Sequence, residues 1–171
     1  MLTLILFLKK VNDPRKKLGK RHPLWLILLL VILGSMFGYF GYRDIGSFAQ
    51  LNQILSVKIF HITPDRVPYY STIRRAMMLV KSSYLIEKFN QSANQLTTSI
   101  DLTDLLYIDG KCLRNTCQNS QNNYQNFVSI VSLLSQNTGW VLRLQKFDNK
   151  KSSEIKEAQE LVKGYPKRGN V

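Results

Sequence analysis

Residues 105–115 read LLYIDGKCLRN, and this stretch decides how the second half of the chain folds. An apolar, β-prone run, Leu105–Ile108, ends on the carboxylate of Asp109, which a glycine follows. The pattern predicts a buried strand that presents Asp109 at its C-terminal tip. Such a carboxylate is a suitable magnesium ligand, and Lys111 and Arg114 would face a polyanionic substrate. Because Asp-Gly is also an ordinary turn signal, a strand and turn without a metal site remains an alternative.

The charge balance of the whole chain indicates a polyanionic partner. The 171 residues include 24 Lys and Arg against 11 Asp and Glu, which gives a net charge of +13. An excess of this size predicts affinity for nucleic acid or for an anionic membrane surface, without any sequence specificity. The length suits one domain, or a small domain with part of another.

The cysteines and histidines do not indicate a zinc site. Cys112 and Cys117 have a C-x₄-C spacing that matches no common zinc pattern, and His22 and His61 lie far upstream. A disulfide is not expected either, so the predicted compartment is the reducing cytoplasm.

An uncharged segment, Leu24–Tyr42, has two interpretations. It is about long enough to cross a bilayer once, and the basic residues before it would keep the N-terminus on the cytoplasmic side. In the other interpretation, Leu24–Leu33 is the buried central helix of a small all-α domain, because a helix that is apolar all round is also typical of a core. A signal peptide is excluded, since Lys9 and Lys10 follow the first apolar run instead of preceding it.

The rest of the first half reads as helices with basic surfaces. The connector 12–23 is rich in cations, and the helix predicted over Tyr69–Val80, capped by Ser71 or Thr72, carries two adjacent arginines. These cations either bind a phosphate backbone or form solvated faces. Further helices are predicted over Tyr42–Leu55 and Ser83–Leu96, with a polar boundary after them. The candidate DNA-binding residues are Arg15, Lys16, Lys17, Arg74 and Arg75, together with Lys111 and Arg114.

The second half predicts an antiparallel meander followed by a helix. Phe127–Leu134 is β-branched, Trp140–Phe147 alternates imperfectly with period two, and short polar turns separate the strands. Ser153–Val162 has helical spacing, with Ser153 as its cap. The order is therefore β-β-β-α, and an RNase H-like sheet begins in this way.

Several stretches together resemble the H-repeat-associated insertion-sequence transposases of bacteria, which belong to the DDE group. The resemblance covers most of residues 11–162. One matching block is Tyr107–Lys111, followed by Leu113 and Arg114; with the last two blocks in order after it, the match is fairly specific, whereas each block alone is weak. The other matching stretches are Asp13–Arg15, Arg21–Leu24, Tyr42–Ile45 with Phe48, Val67–Pro68, Ser71–Arg75, Phe127–Ser129 and Lys150–Ile155.

The resemblance implies an α+β protein of two domains. A helical domain that assists DNA binding would cover residues 1–98, and an incomplete RNase H-like catalytic domain would cover residues 99–171. Asp109 would be the first of three carboxylates that hold Mg²⁺ or Mn²⁺, and the Leu24–Leu33 segment would be a helix of a soluble domain. The second and third carboxylates of the family lie beyond Val171. The resemblance therefore predicts a truncated chain that is inactive alone, binds element ends and pairs with a full-length transposase.

Overall fold

The structure, a computed structural model, describes residues 2–62, 65–96, 105–113, 116 and 127–163. Contacts divide the chain into two compact units, Met1–Ser82 and Ser83–Val171, which we call the helical unit and the sheet unit. The helices are α1 (Leu2–Lys9), α2 (Leu24–Met36), α3 (Tyr42–Leu51), α4 (Gln53–Phe60), α5 (Tyr70–Leu79), α6 (Ser82–Leu96) and α7 (Glu154–Lys163), and the strands are β1 (Leu106–Cys112), β2 (Val128–Ser135) and β3 (Val141–Asp148). The described residues thus form a mixed α+β protein, which confirms the broad fold class.

The helical unit is built around α2. This helix contacts α1, α3 and α5, so side chains on several of its faces are buried. That environment explains why its sequence is apolar all round, since a helix covered on every side gains no stability from a polar face. The core cluster consists of Leu26, Leu30, Phe48, Ala49, Ile62 and Val67. The core-helix interpretation of Leu24–Leu33 is therefore confirmed.

The segment Leu24–Tyr42 is not one continuous helix. α2 ends at Met36 after 13 residues, a length of about 20 Å at 1.5 Å per residue. Gly38 and Gly41 follow with φ values of +83° and +94°, a conformation that suits glycine and interrupts the helix before α3. No helix within the described ranges is long and apolar enough to cross a membrane.

Two local details of the helical unit differ from the predictions. The helix predicted over Tyr42–Leu55 is interrupted at Asn52, which has φ −102° and ψ 18°; its backbone amide and its Nδ2 both donate to the Phe48 carbonyl, at 3.1 and 2.9 Å. α4 then runs on to Phe60. α5 begins after Tyr69 without a side-chain cap, so the predicted cap by Ser71 or Thr72 is wrong.

The sheet unit contains the predicted meander. The strand order is β1-β2-β3, and both pairings are antiparallel. α7 covers one face of the sheet through a small core of Val131, Leu133, Phe147 and Leu161. The Ser153 hydroxyl accepts a hydrogen bond from the Lys156 amide at 3.4 Å, which confirms Ser153 as the cap of α7.

α6 belongs to the sheet unit through a specific contact. The Asn90 side chain donates to the Leu144 carbonyl at 2.9 Å and accepts from the Leu144 amide at 2.8 Å, as a neighbouring strand would do. This pair satisfies backbone groups on the outer edge of β3. The contacts thus place α6 from Ser83 onward with the sheet unit, and the domain limit predicted at residue 98 stays a prediction.

Candidate nucleic-acid interface

The positive charge of the chain is concentrated in the helical unit. Residues 1–82 contain 13 Lys and Arg against 3 Asp and Glu, a net charge of +10. Residues 83–171 contain 11 against 8, a net charge of +3. A surface that attracts a polyanion is therefore expected on the helical unit.

A buried arginine organises the basic connector between α1 and α2. Arg15 is only 7% exposed. Its Nε and Nη2 donate to the two carboxylate oxygens of Asp13 at 2.9 and 2.8 Å, the two-pronged geometry that a guanidinium favours. Nη2 also donates to the His22 carbonyl at 2.7 Å, and Nη1 donates to the Gly19 carbonyl at 3.1 Å. These four hydrogen bonds join both ends of the loop.

Arg15 is therefore a structural residue of the connector, and its position differs from the predicted contact with DNA. A guanidinium has five N–H donors, and four of them are already used inside the loop. Sequence composition counts every cation equally, so it did not separate this residue from its neighbours. The signal that distinguishes it is local, namely the Asp13 carboxylate two positions earlier.

The same loop leaves its other cations exposed to solvent. Lys16, Lys17, Lys20 and Arg21 are all exposed, and we call this set the connector cations. Lys20 also donates from Nζ to the Asp13 carbonyl at 3.2 Å. Because Arg15 neutralises Asp13, the single acid of the connector, these four charges are not offset locally. The predicted site included Lys16 and Lys17 but omitted Lys20 and Arg21.

Two pKa shifts follow from this arrangement. The hydrogen bond from Arg15 is the main reason why the pKa of Asp13 lies below its usual value, since it stabilises the carboxylate. Burial lowers the pKa of His22, and the positive charges of Arg21 and Arg15 lower it further. His22 Nδ1 is buried without a hydrogen-bond partner among the described residues.

The arginines of α5 form a separate basic surface. Arg74 and Arg75 are both exposed, and the Arg75 Nε donates to the Ser71 carbonyl of its own helix at 3.3 Å. Both are accessible to solvent, and their contact with a phosphate backbone stays a prediction.

Asp109 does not lie at the tip of a buried strand, which corrects the prediction. β1 continues through Gly110 and Lys111 to Cys112, and all seven of its residues are exposed. Asp109 therefore lies at the middle of an edge strand, opposite Ser132 of β2. The Asp-Gly pair does not turn: its backbone stays paired with β2, with Gly110 opposite Val131, and the Glu154 side chain of α7 lies next to Gly110.

Among the described residues, no metal-binding cluster forms around Asp109. Lys111 is exposed two positions from Asp109, on the same face of the sheet. Arg114 lies outside the described residues. Within the described ranges, no group of three or more His, Cys, Asp or Glu side chains is placed to hold a metal ion.

Comparison with known proteins identifies one family. A family model described as DDE_Tnp_1-associated matches residues 5–92, slightly more than half of the chain. The match covers the second part of α1, the connector, α2–α5 and most of α6. Searches of curated proteins and of solved structures gave no match.

Proposed function

The chain belongs to the DDE_Tnp_1-associated family, and we propose that it is a DNA-binding component of bacterial insertion-element transposition. The family description supports a transposase-related role. The finer assignment to the H-repeat-associated group rests on the sequence resemblance and is part of the proposal. The connector cations carry the DNA-binding proposal, because they are four exposed positive charges on a loop fixed by the buried Arg15–Asp13 ion pair.

The connector is suited to phosphate contacts. Its exposed charged side chains are three lysines, which act as point charges, and one arginine, whose guanidinium can bind a phosphate through two hydrogen bonds. Each neutralised phosphate releases counterions, so the affinity is expected to fall steeply with salt. Arg74 and Arg75 on α5 are proposed as additional phosphate contacts.

For the sheet unit, we propose the opening β-β-β-α portion of an RNase H-like domain. The order and antiparallel pairing of the described strands support this assignment. In such a domain Asp109 would be the first carboxylate toward Mg²⁺ or Mn²⁺, ions that activate a water or hydroxyl nucleophile. A two-metal site needs several convergent carboxylates, and one exposed Asp on an edge strand does not fit that requirement. We therefore derive no cleavage step for these residues and propose that a full-length transposase supplies the chemistry.

The DNA-binding proposal is tested by fluorescence anisotropy with a short duplex over a range of salt concentrations. Replacing two connector cations in a Lys16→Gln, Lys17→Gln variant is expected to reduce the slope of log K against log salt by about 2, since each lost phosphate contact removes about 0.9. The matched control is Lys150→Gln, Lys151→Gln, which removes the same charge from exposed positions after β3.

The control variant should retain the slope of the original protein. Equal losses in both variants would show that net charge alone, and not the connector, determines binding. Absence of binding at low salt would contradict the proposal altogether.

Nicking of supercoiled plasmid tests the catalytic part. The purified chain is expected to give no Mg²⁺- or Mn²⁺-dependent nicking. Robust nicking that Asp109→Ala abolishes would overturn this expectation and assign catalysis to this chain.

A further inference from the structure

The outer edge of β1 has backbone groups that no described residue pairs. The Leu113 amide donates to Val128 and the Gln136 amide donates to Leu105, which fixes the odd-numbered residues of β1 as those bonded to β2. In an antiparallel pair the alternate residues direct their N–H and C=O groups away from the partner strand. Leu106, Ile108, Gly110 and Cys112 therefore direct their backbone groups outward, and no described residue pairs with them.

Two of the usual protections against strand pairing, a proline and a bulge, are missing from β1, and its charged side chains are one acid and one lysine, Asp109 and Lys111. The strand has seven residues. Tyr107 and Ile108 are 52% and 46% exposed, so apolar surface accompanies the free backbone groups. A long, regular and partly apolar edge is a template for another strand.

The charges of β1 select one self-pairing register. When β1 of a second copy lies antiparallel to β1, the residues whose backbone groups point outward must lie opposite each other. The allowed registers therefore differ in steps, and each step moves the residue opposite a given position by two places. With Gly110 opposite Gly110, Asp109 of each copy lies opposite Lys111 of the other. A shift of one step either way places Asp109 opposite Asp109 or Lys111 opposite Lys111, and like charges directly opposite are destabilising.

We infer that β1 pairs with β1 of a second copy in this register, joining two sheets into one of six strands. The pairing is isologous, because the same strand contributes Asp109 and Lys111 on both sides of a two-fold axis. Asp109 and Lys111 form non-hydrogen-bonded pairs, in which the Cα atoms approach to about 4.5 Å and side chains interact most closely. On the same face, Tyr107 lies opposite Leu113, which adds an apolar contact on each side.

One contact opposes the association. The Glu154 carboxylate lies over Gly110, at the position of the two-fold axis, so the two copies bring their Glu154 side chains toward each other. Repulsion between them weakens the pairing. Neutralising this residue should therefore tighten the dimer.

Sedimentation equilibrium of the full chain, without DNA, measures the association. Asp109→Lys or Lys111→Asp places like charges opposite each other twice per dimer and should raise Kd at least about tenfold. The combined Asp109→Lys, Lys111→Asp variant restores unlike pairs in the same register and should return Kd to near its original value. Glu154→Gln should lower Kd, and circular dichroism checks that each variant is folded.

A disulfide tests the register itself. In the inferred pairing, Ile108 of one copy lies opposite Cys112 of the other, at a Cα separation of about 5.5 Å that permits a disulfide. Within one chain these residues lie about 13 Å apart along the strand, too far for a bond. Ile108→Cys in a Cys117→Ser background should therefore give a covalent dimer on mild oxidation, whereas Cys117→Ser alone should not.

The inference is overturned if the original protein remains monomeric at all accessible concentrations. It is equally overturned if the combined charge exchange fails to restore association, because the pairs would then not face each other. A dimer in which Ile108→Cys does not cross-link to Cys112 would place the interface elsewhere.

Discussion

The two units of the chain differ in the surface that each offers to a partner. The helical unit closes its apolar core around α2 and carries an uneven charge, 13 cations against 3 acids. The sheet unit has nearly balanced charge, 11 cations against 8 acids, but one of its edge strands is exposed along its whole length. The helical unit is therefore suited to a polyanion through its charge, whereas the sheet unit is suited to another strand through its backbone. Substitutions that act on one feature at a time can separate these two properties.

The largest expected effect lies in the core of the helical unit. Leu26 is fully buried in the core cluster, so Leu26→Ala should cost about 3–5 kcal/mol through lost burial and the cavity that remains. Leu51 on α3 is 75% exposed, and Leu51→Ala is the matched control, with an expected change within about 0.5 kcal/mol. Urea unfolding followed by circular dichroism measures both. Similar losses for the two variants would contradict the placement of α2 at the centre of the unit.

The next effect distinguishes a structural cation from a binding cation. Arg15→Ala removes four hydrogen bonds and leaves the Asp13 carboxylate unpaired, which should cost about 2–4 kcal/mol. Arg15→Lys should recover only part of this loss, because an ammonium group does not reproduce the two-pronged pairing. Lys16→Gln should leave the free energy of unfolding within about 0.5 kcal/mol of the original. If Arg15→Ala were equally harmless, the guanidinium would not be holding the connector together.

A third comparison places the same substitution, glycine to alanine, in each unit. A methyl group on Gly46 of α3 would lie 2.7 Å from the Tyr70 Cβ and 3.1 Å from the Tyr70 backbone nitrogen, so α3 and α5 must move apart. We expect a net cost of about 1–2 kcal/mol, since overpacking outweighs the better helix propensity of alanine.

At Gly110 the obstacle is the carboxylate end of Glu154, a flexible and exposed side chain that can rotate away. Gly110→Ala should therefore change the free energy of unfolding by less than about 0.5 kcal/mol. Thermal unfolding of the two variants gives the comparison. A larger loss for Gly110→Ala than for Gly46→Ala would mean that Glu154 is held rigidly over β1.

Much of the fold follows from apolar periodicity. The buried helix at Leu24, the three-strand meander and the capped helix after Ser153 all have sequence patterns that depend on neighbours close in the chain. The limit between α3 and α4 was missed because it falls at one residue, Asn52, whose departure from helical geometry leaves the apolar spacing unchanged.

The candidate site was harder to predict for a physical reason. Asp-Gly favours a turn by itself, but Gly110 remains in the strand, where it pairs with Val131 of β2, a contact between residues far apart in sequence. Arg15 and Lys16 are adjacent cations with opposite environments, and the difference depends on the path of the loop to Gly19 and His22. Composition predicts how much charge the chain carries, whereas tertiary contacts decide which charges remain exposed.

The smallest predicted effect is a pH dependence that originates in the connector. Burial and the charges of Arg21 and Arg15 lower the pKa of His22, so the unfolded chain binds a proton more readily than the folded chain. The contribution of His22 to stability is therefore complete above about pH 6.5 and is lost as pH falls from there through the lowered pKa of the folded state. His22→Gln should flatten this part of a stability profile measured by urea unfolding between pH 7.5 and 5.

The paired carboxylate of Asp13 acts in the same direction only at lower pH, because its own usual pKa is 3.8 and Arg15 lowers it. A decline near pH 6 that persists in His22→Gln would therefore originate outside the connector, and a rise in stability on acidification would contradict the buried, neutral histidine.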